Sequence, residues 1–188
     1  TSMERLASGS RINSAMDDAA GLAISHKLDA KITGLNQGVR NANDGISMIH
    51  VAEGAMEEIS SILTRMKELT VQASSGTYNA DDKAALSTEF VQLHGEITRI
   101  SNSTDFNETD VIGGSVTIAI QVGDSNTPAE DQISFTTKDL DAAALSVGIA
   151  ITTGTLAMAA NAKVDAAIAT VDTQRSTLGA VANRLEFA

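Results

Sequence analysis

The feature that most constrains this chain is a proline-free run over residues 19–73 in which apolar side chains return after steps of four and three. Leu28, Ile32, Leu35, Val39, Ala42, Ile46 and Ile49 are followed by Ala52, Met56, Ile59, Leu63 and Met66. Such alternation marks a helix that offers one apolar seam to a partner helix, here with a slip of three between Ile49 and Ala52. A helix of roughly 55 residues is about 80 Å long. A compact globule of this chain length has a radius of gyration of about 16 Å, so the seam predicts a rod.

The rest of the chain supplies the partners. Asn79 with Asp82 three positions on reads as a helix start, and Leu86, Phe90, Leu93, Ile97 and Ile100 carry the apolar spacing to about residue 101. The polar turn "SSGTYNAD" ahead of it sends this second helix back along the first. Past Thr104 the period falls to two: "SVTIAIQVG" and "QISFTT" alternate apolar and polar residues around the loop "DSNTPAED", which predicts a β-hairpin. "KDLDAAAL" suggests a short helical turn. A third helix runs from about residue 155 to the chain end, with Val164, Ile168, Val171, Leu178, Ala182 and Leu185 on one face. Arg175 interrupts that face and reads as a snorkelling or paired side chain. The predicted class is mainly α, an elongated antiparallel helical bundle or coiled-coil rod of three long helices with a small β-hairpin region. Residues 1–104 and 154–188 form the helical rod, and 105–153 form the hairpin and connecting loops, with no large outer domains.

Composition narrows the function. A net charge of -11 repels a phosphate backbone, so nucleic acid is not an expected partner. Aromatic residues make up 3% and Trp is absent, poor material for stacking sugars or bases. With no Cys there is no disulfide, thiolate metal site or cysteine nucleophile. No signal-peptide pattern opens the chain. The uncharged stretch 142–162 carries Ser146, Thr152, Thr153, Thr155, Asn161 and two glycines, so it is not read as a membrane span.

Catalytic constellations are not found. Asp17 and Asp18 precede the long helix, where a carboxylate favours the positive helix end and caps its free amides. Adjacent residues on a helix point about 100° apart, a poor geometry for an acid and base pair. His50, Glu53 and Glu57 share a helix face without an H-E-x-x-H pattern and read as a solvated face. There is no G-x-S-x-G elbow, phosphate-binding glycine loop or dinucleotide fingerprint. "DSNTPAEDQ" lacks the glycine and twelfth-position Glu of a calcium loop. Asn102 and Asn107 lie in N-x-[ST] sequons. No catalytic residue, metal site or cofactor is expected. Gly34, Gly38, Gly45 and Gly54 each cost about 1 kcal/mol relative to Ala inside a helix, which predicts close approach of a neighbouring element or subunit.

Several long stretches resemble a known family. "LASGSRINSAMDDAAGLAIS", "GLNQGVRNANDGISMIHVAEGAMEEI", "LTRMKELTVQAS" and "EITRISNSTDFN" are similar to the N-terminal conserved segment of bacterial flagellin, and "VDAAIATVDTQRSTLGAVANRLE" resembles the start of its C-terminal segment. The resemblance implies a structural filament subunit whose rod is two N-terminal helices, a hairpin and a C-terminal helix. It implies other flagellin subunits, an export chaperone and a filament cap as partners, and an extracellular place on the flagellum reached without a cleaved signal peptide. A hook–filament junction protein or a surface adhesin is the alternative. Thr1 is not a start Met and "NRLEFA" carries no stop signal, so a rod core trimmed at both termini, itself monomeric, is expected. The resemblance places Asp17 and Asp18 at the spoke that starts the long helix. It gives residues 116–122 and 133–136 either a part in switching between filament packings or a capping role at the rod's end. Through "LTRMKELTVQ" it carries over a contact with host Toll-like receptor five to Arg65 and Leu69, with Glu96 as the acidic residue of the second helix. Thr64, Met66 and Lys67 depart from the commonest pattern of that segment.

Overall fold

The computed structural model describes residues 2–125 and 127–188. Its elements in chain order are α1 (Ser2–Ser8), α2 (Ala19–Ser74), α3 (Ala80–Ser103), β1 (Asp105–Phe106), β2 (Thr109–Asp110), β3 (Thr117–Gln121), α4 (Pro128–Asp131), β4 (Gln132–Thr136) and α5 (Gly154–Glu186). With 56 residues, α2 is about 84 Å long and sets the length of the molecule. β1 pairs with β2 and β3 with β4, both antiparallel, the second in a register that sets Thr117 opposite Thr136 and Gln121 opposite Gln132. The predicted hairpin is thus present, with Pro128 starting the single turn α4 inside its loop. Asn126 of that loop lies outside the described residues. "KDLDAAAL" forms an isolated turn in which the Leu145 amide donates to the Asp141 carbonyl.

α5 lies antiparallel on α2. Thr70 bonds Asn161 at 3.0 Å, Lys67 pairs with Asp165 at 2.5 Å, Arg175 faces Glu57 and Glu53 at 3.6 and 3.8 Å, and Gly45 meets Leu185. The buried positions of α2 are Gly38, Ala42, Gly45, Ile49, Ala52, Met56, Ile59, Leu63, Met66, Leu69, Thr70 and Ala73. Followed through Gly45, they repeat four and three without the predicted slip. Ile46 is only half-buried beside the seam, because an apolar-residue reading cannot see that the glycine occupies the inward position. In α5 the inward series Ala157, Ala160, Val164, Ala167, Val171, Gln174, Leu178, Val181 and Leu185 is equally regular. Here too one expectation is corrected: Gln174, not Arg175, interrupts the seam. Its amide donates to the Thr136 carbonyl at 3.1 Å, which ties α5 to β4 and satisfies a buried polar group. Ile168 and Ala182 flank the seam half-buried. Burying each Leu, Ile or Met of this core contributes about 1.5–3 kcal/mol.

α3 returns along the other side of α2, started by a reciprocal capping box in which the Asn79 side chain accepts from the Asp82 amide and the Asp82 carboxylate from the Asn79 amide. The segment after β4 then runs back along α3, burying Leu140, Leu145, Val147 and Ile151. β3 lies across α2 where the helix carries glycines. A methyl at Gly38 would run into the Val122 carbonyl, one at Gly45 into Ile120, and one at Gly34 would stand 3.0 Å from Asp124 Cβ. Close approach therefore explains three of the four helix glycines. Gly54 is the exception, with open space where a side chain would go.

Candidate functional site

The amino-terminal part of α2 runs beyond the end of α5, since the last seam residue of α5, Leu185, is already level with Gly45. Without α5 to cover them, Ile24, Leu28, Ile32, Leu35 and Val39 stand in solvent, between 42 and 60% exposed. The expectation that Leu28, Ile32, Leu35 and Val39 belong to the closed seam is corrected for this reason. They line one side of α2 beyond the level of Glu186, the last residue of α5. Among the described residues the hairpin loop comes up against α2 beside this stripe at Gly34 and Gly38. Asp18 caps the start of α2, its carboxylate accepting from the Gly21 amide at 2.9 Å. Asp17 does not share that role. It accepts from the Asn13 amide and the Ser14 hydroxyl and belongs to the turn ahead of the helix.

A second surface lies where α2 and α3 face outward together. The Arg65 guanidinium donates to Glu89 at 2.9 Å and to Glu68 at 2.8 Å, and these two carboxylates raise its pKa above the ordinary value. Both neighbours are exposed, so the pairs order the side chain more than they stabilise the fold. Leu69 shares the helix stripe with Arg65 but is completely buried and touches core. Glu96 is not brought to Arg65. It lies further along α3, bonded to Arg99 at 2.6 and 2.9 Å, and that guanidinium lowers its pKa. Sequence reasoning missed Glu89. The signal was available in the turn: Arg65 and Glu89 both lie twelve positions from Thr77, so an antiparallel return about that turn sets them level.

Among the described residues no three His, Asp or Glu side chains are placed to hold a metal. An apolar hollow between α3 and the return segment is lined by Phe90, Val91, His94, Val147, Gly148, Ile149 and Ala150, and His94 has no nucleophile or carboxylate beside it there. Among the described residues no helix is long and apolar enough to cross a membrane.

Comparison with known proteins agrees with this architecture. Residues 1–117 match the family profile described as the bacterial flagellin N-terminal helical region. A flagellin of Halalkalibacterium halodurans is 47% identical over 186 residues, which cover 98% of this chain and 68% of the relative. Flagellin A of Vibrio cholerae is 51% identical over 127 residues, covering 67% of this chain and 34% of the relative. The crystal structure of Bacillus cereus flagellin superposes with a TM-score of 0.70 at 30% identity, covering 79% of this chain and 85% of that one.

Proposed function

The chain belongs to the bacterial flagellin family, a structural and non-enzymatic one, and on that footing we propose that it is a subunit of the flagellar filament outside the cell. The observation that carries the reading is the rod itself, the 56-residue helix α2 with α3 and α5 packed along it. A contact between unlike surfaces of successive copies does not close on itself and yields an open helical polymer. A rod built on α2 presents long exposed flanks for such contacts, and the length of α2 supplies the spacing. Export chaperone and filament cap are the further partners that this role requires. The test is genetic: the intact gene carrying this chain should restore filaments and swimming to a strain lacking its own flagellin. Leu28→Ser with Leu35→Ser should reduce filament yield at equal secretion. Failure of the unsubstituted gene to restore filaments ends the proposal.

A second reading concerns recognition by host Toll-like receptor five. Arg65, held upright by Glu68 and Glu89 on an exposed surface, has the character of an interface anchor whose ordering is complete before binding. On this reading Arg65 and Glu89 touch the receptor, whereas Leu69 acts by holding α2 in place and Glu96 lies outside the centre. Arg65→Ala should weaken receptor signalling by the intact protein by a factor of ten or more, matching an anchor of about 2 kcal/mol, and Glu89→Ala should weaken it less. If both leave signalling unchanged the surface is misassigned. If Glu96→Ala alone weakens it, the acidic contact belongs to Glu96.

A further inference from the structure

We propose that Asn107 is a glycosyl acceptor, modified on its side-chain amide in the folded protein. Two N-x-[ST] sequons stand five residues apart, Asn102-Ser103-Thr104 and Asn107-Glu108-Thr109, and the fold treats them in opposite ways. Asn102 is exposed but sits in the last turn of α3. The Thr104 hydroxyl, which a transferase must read, already donates to the Ile100 carbonyl at 2.7 Å. Opening that turn would disturb the neighbouring Ser101, which is fully buried and donates to the Ile112 carbonyl.

Asn107 instead occupies the tip of the two-residue turn joining β1 and β2. Its side chain is exposed and has no hydrogen-bond partner among the described residues, and neither has the Thr109 hydroxyl. Asn107 and Glu108 both hold positive φ, 52° and 61°, the pattern of a type I′ turn. Asn tolerates that conformation, but Glu at the second position stands where such turns favour glycine. A strained tip on strands of only two residues is the piece of backbone that reshapes most easily to enter an enzyme cleft. Exposure, an unengaged amide and hydroxyl, and a cheap deformation thus coincide at Asn107 and are divided at Asn102.

The donor is a sugar activated as a phosphate ester at its anomeric carbon. The amide nitrogen of Asn107 bonds to that carbon, the carbon–oxygen bond to phosphate breaks, the phosphate-bearing group leaves with the electron pair, and the amide proton passes to a base of the transferase. Two sources share this chemistry, a nucleoside diphosphate sugar and a lipid pyrophosphate-linked oligosaccharide. In one arm the folded chain is incubated with a soluble asparagine glycosyltransferase and a uridine diphosphate hexose. In the other it is exposed to a membrane oligosaccharyltransferase and its lipid-linked donor. Mass spectrometry of the intact chain and its peptides should find one glycan on the Asn107 peptide in at least one arm, and the productive arm names the donor. Asn107→Gln and Thr109→Ala should each abolish the addition, the second without replacing a turn residue, while Asn102→Gln should leave it unchanged. No addition to Asn107 in either arm overturns the proposal, and so does addition to Asn102 of the folded chain that survives Asn107→Gln.

Discussion

Gly38 and Gly54 lie on one helix in opposite surroundings. At Gly38 the Val122 carbonyl occupies the space a methyl would need, whereas nothing lies within 4 Å of the corresponding point at Gly54. Gly38→Ala should therefore destabilise the protein by about 1–3 kcal/mol through overpacking against backbone. Gly54→Ala should stabilise it by about 0.5–1 kcal/mol, the helix-propensity difference with no opposing contact. Opposite shifts of the denaturation midpoint are the measurement. Asp131 offers a second prediction at this scale. It is buried at the hairpin tip, where the Ser125 hydroxyl and then the Thr127 amide hold its carboxyl below the usual carboxylate range. A depressed folded-state pKa contributes stability that is complete above the ordinary carboxylate range and lost as pH falls through the lowered value. Protection of the Val122 and Gly123 amides, whose N–H groups donate to the Asp131 carbonyl, measured against their intrinsic exchange rates, should fall across that acid window, and Asp131→Asn should remove this pH dependence of the protection.

The elements differ in how much of each was legible. The ends of α2 and α3 followed from local signals, since a cap is a contact between residues a few positions apart. Asn79→Ala should cost about 1 kcal/mol by breaking both halves of the capping box, with faster exchange confined to the first turn of α3 as the readout. Most seam residues were legible where the inward position is a large apolar one. Five positions were read one step off: Gly38, Gly45, Ala167, Gln174 and Val181 turn inward where Val39, Ile46, Ile168, Arg175 and Ala182 were expected. Gly45 is inward because β3 and α5 crowd it, and Gln174 because β4 offers the Thr136 carbonyl. Neither cause is local to the residue. Apolar counting therefore placed Ile46 on the seam and Arg175 in its interruption, one step from the true positions.

For the molecule as a whole, the decisive quantity is the length of α2, 56 residues or about 84 Å. It makes the protein a rod. Small-angle scattering of the monomer should give a radius of gyration well above the about 16 Å of a compact globule. The Leu28→Ser and Leu35→Ser pair should leave thermal stability of this chain almost unchanged, because both side chains face solvent in it, while it reduces filament yield in the intact protein. A large fall in melting temperature would instead mean that these residues are buried in the free chain.

By itself the sequence determined the long helices, their caps, the hairpin and the extended shape, and stretches resembling flagellin placed the family. Each of these depends on periodicity or on neighbours along the chain, which a linear text records. Tertiary structure alone decided which of two adjacent residues turns inward, that Glu89 and not Glu96 stands beside Arg65, and that Leu69 is core. Those outcomes depend on the relative lengths and register of packed helices, and register is set by contacts between residues far apart in the chain.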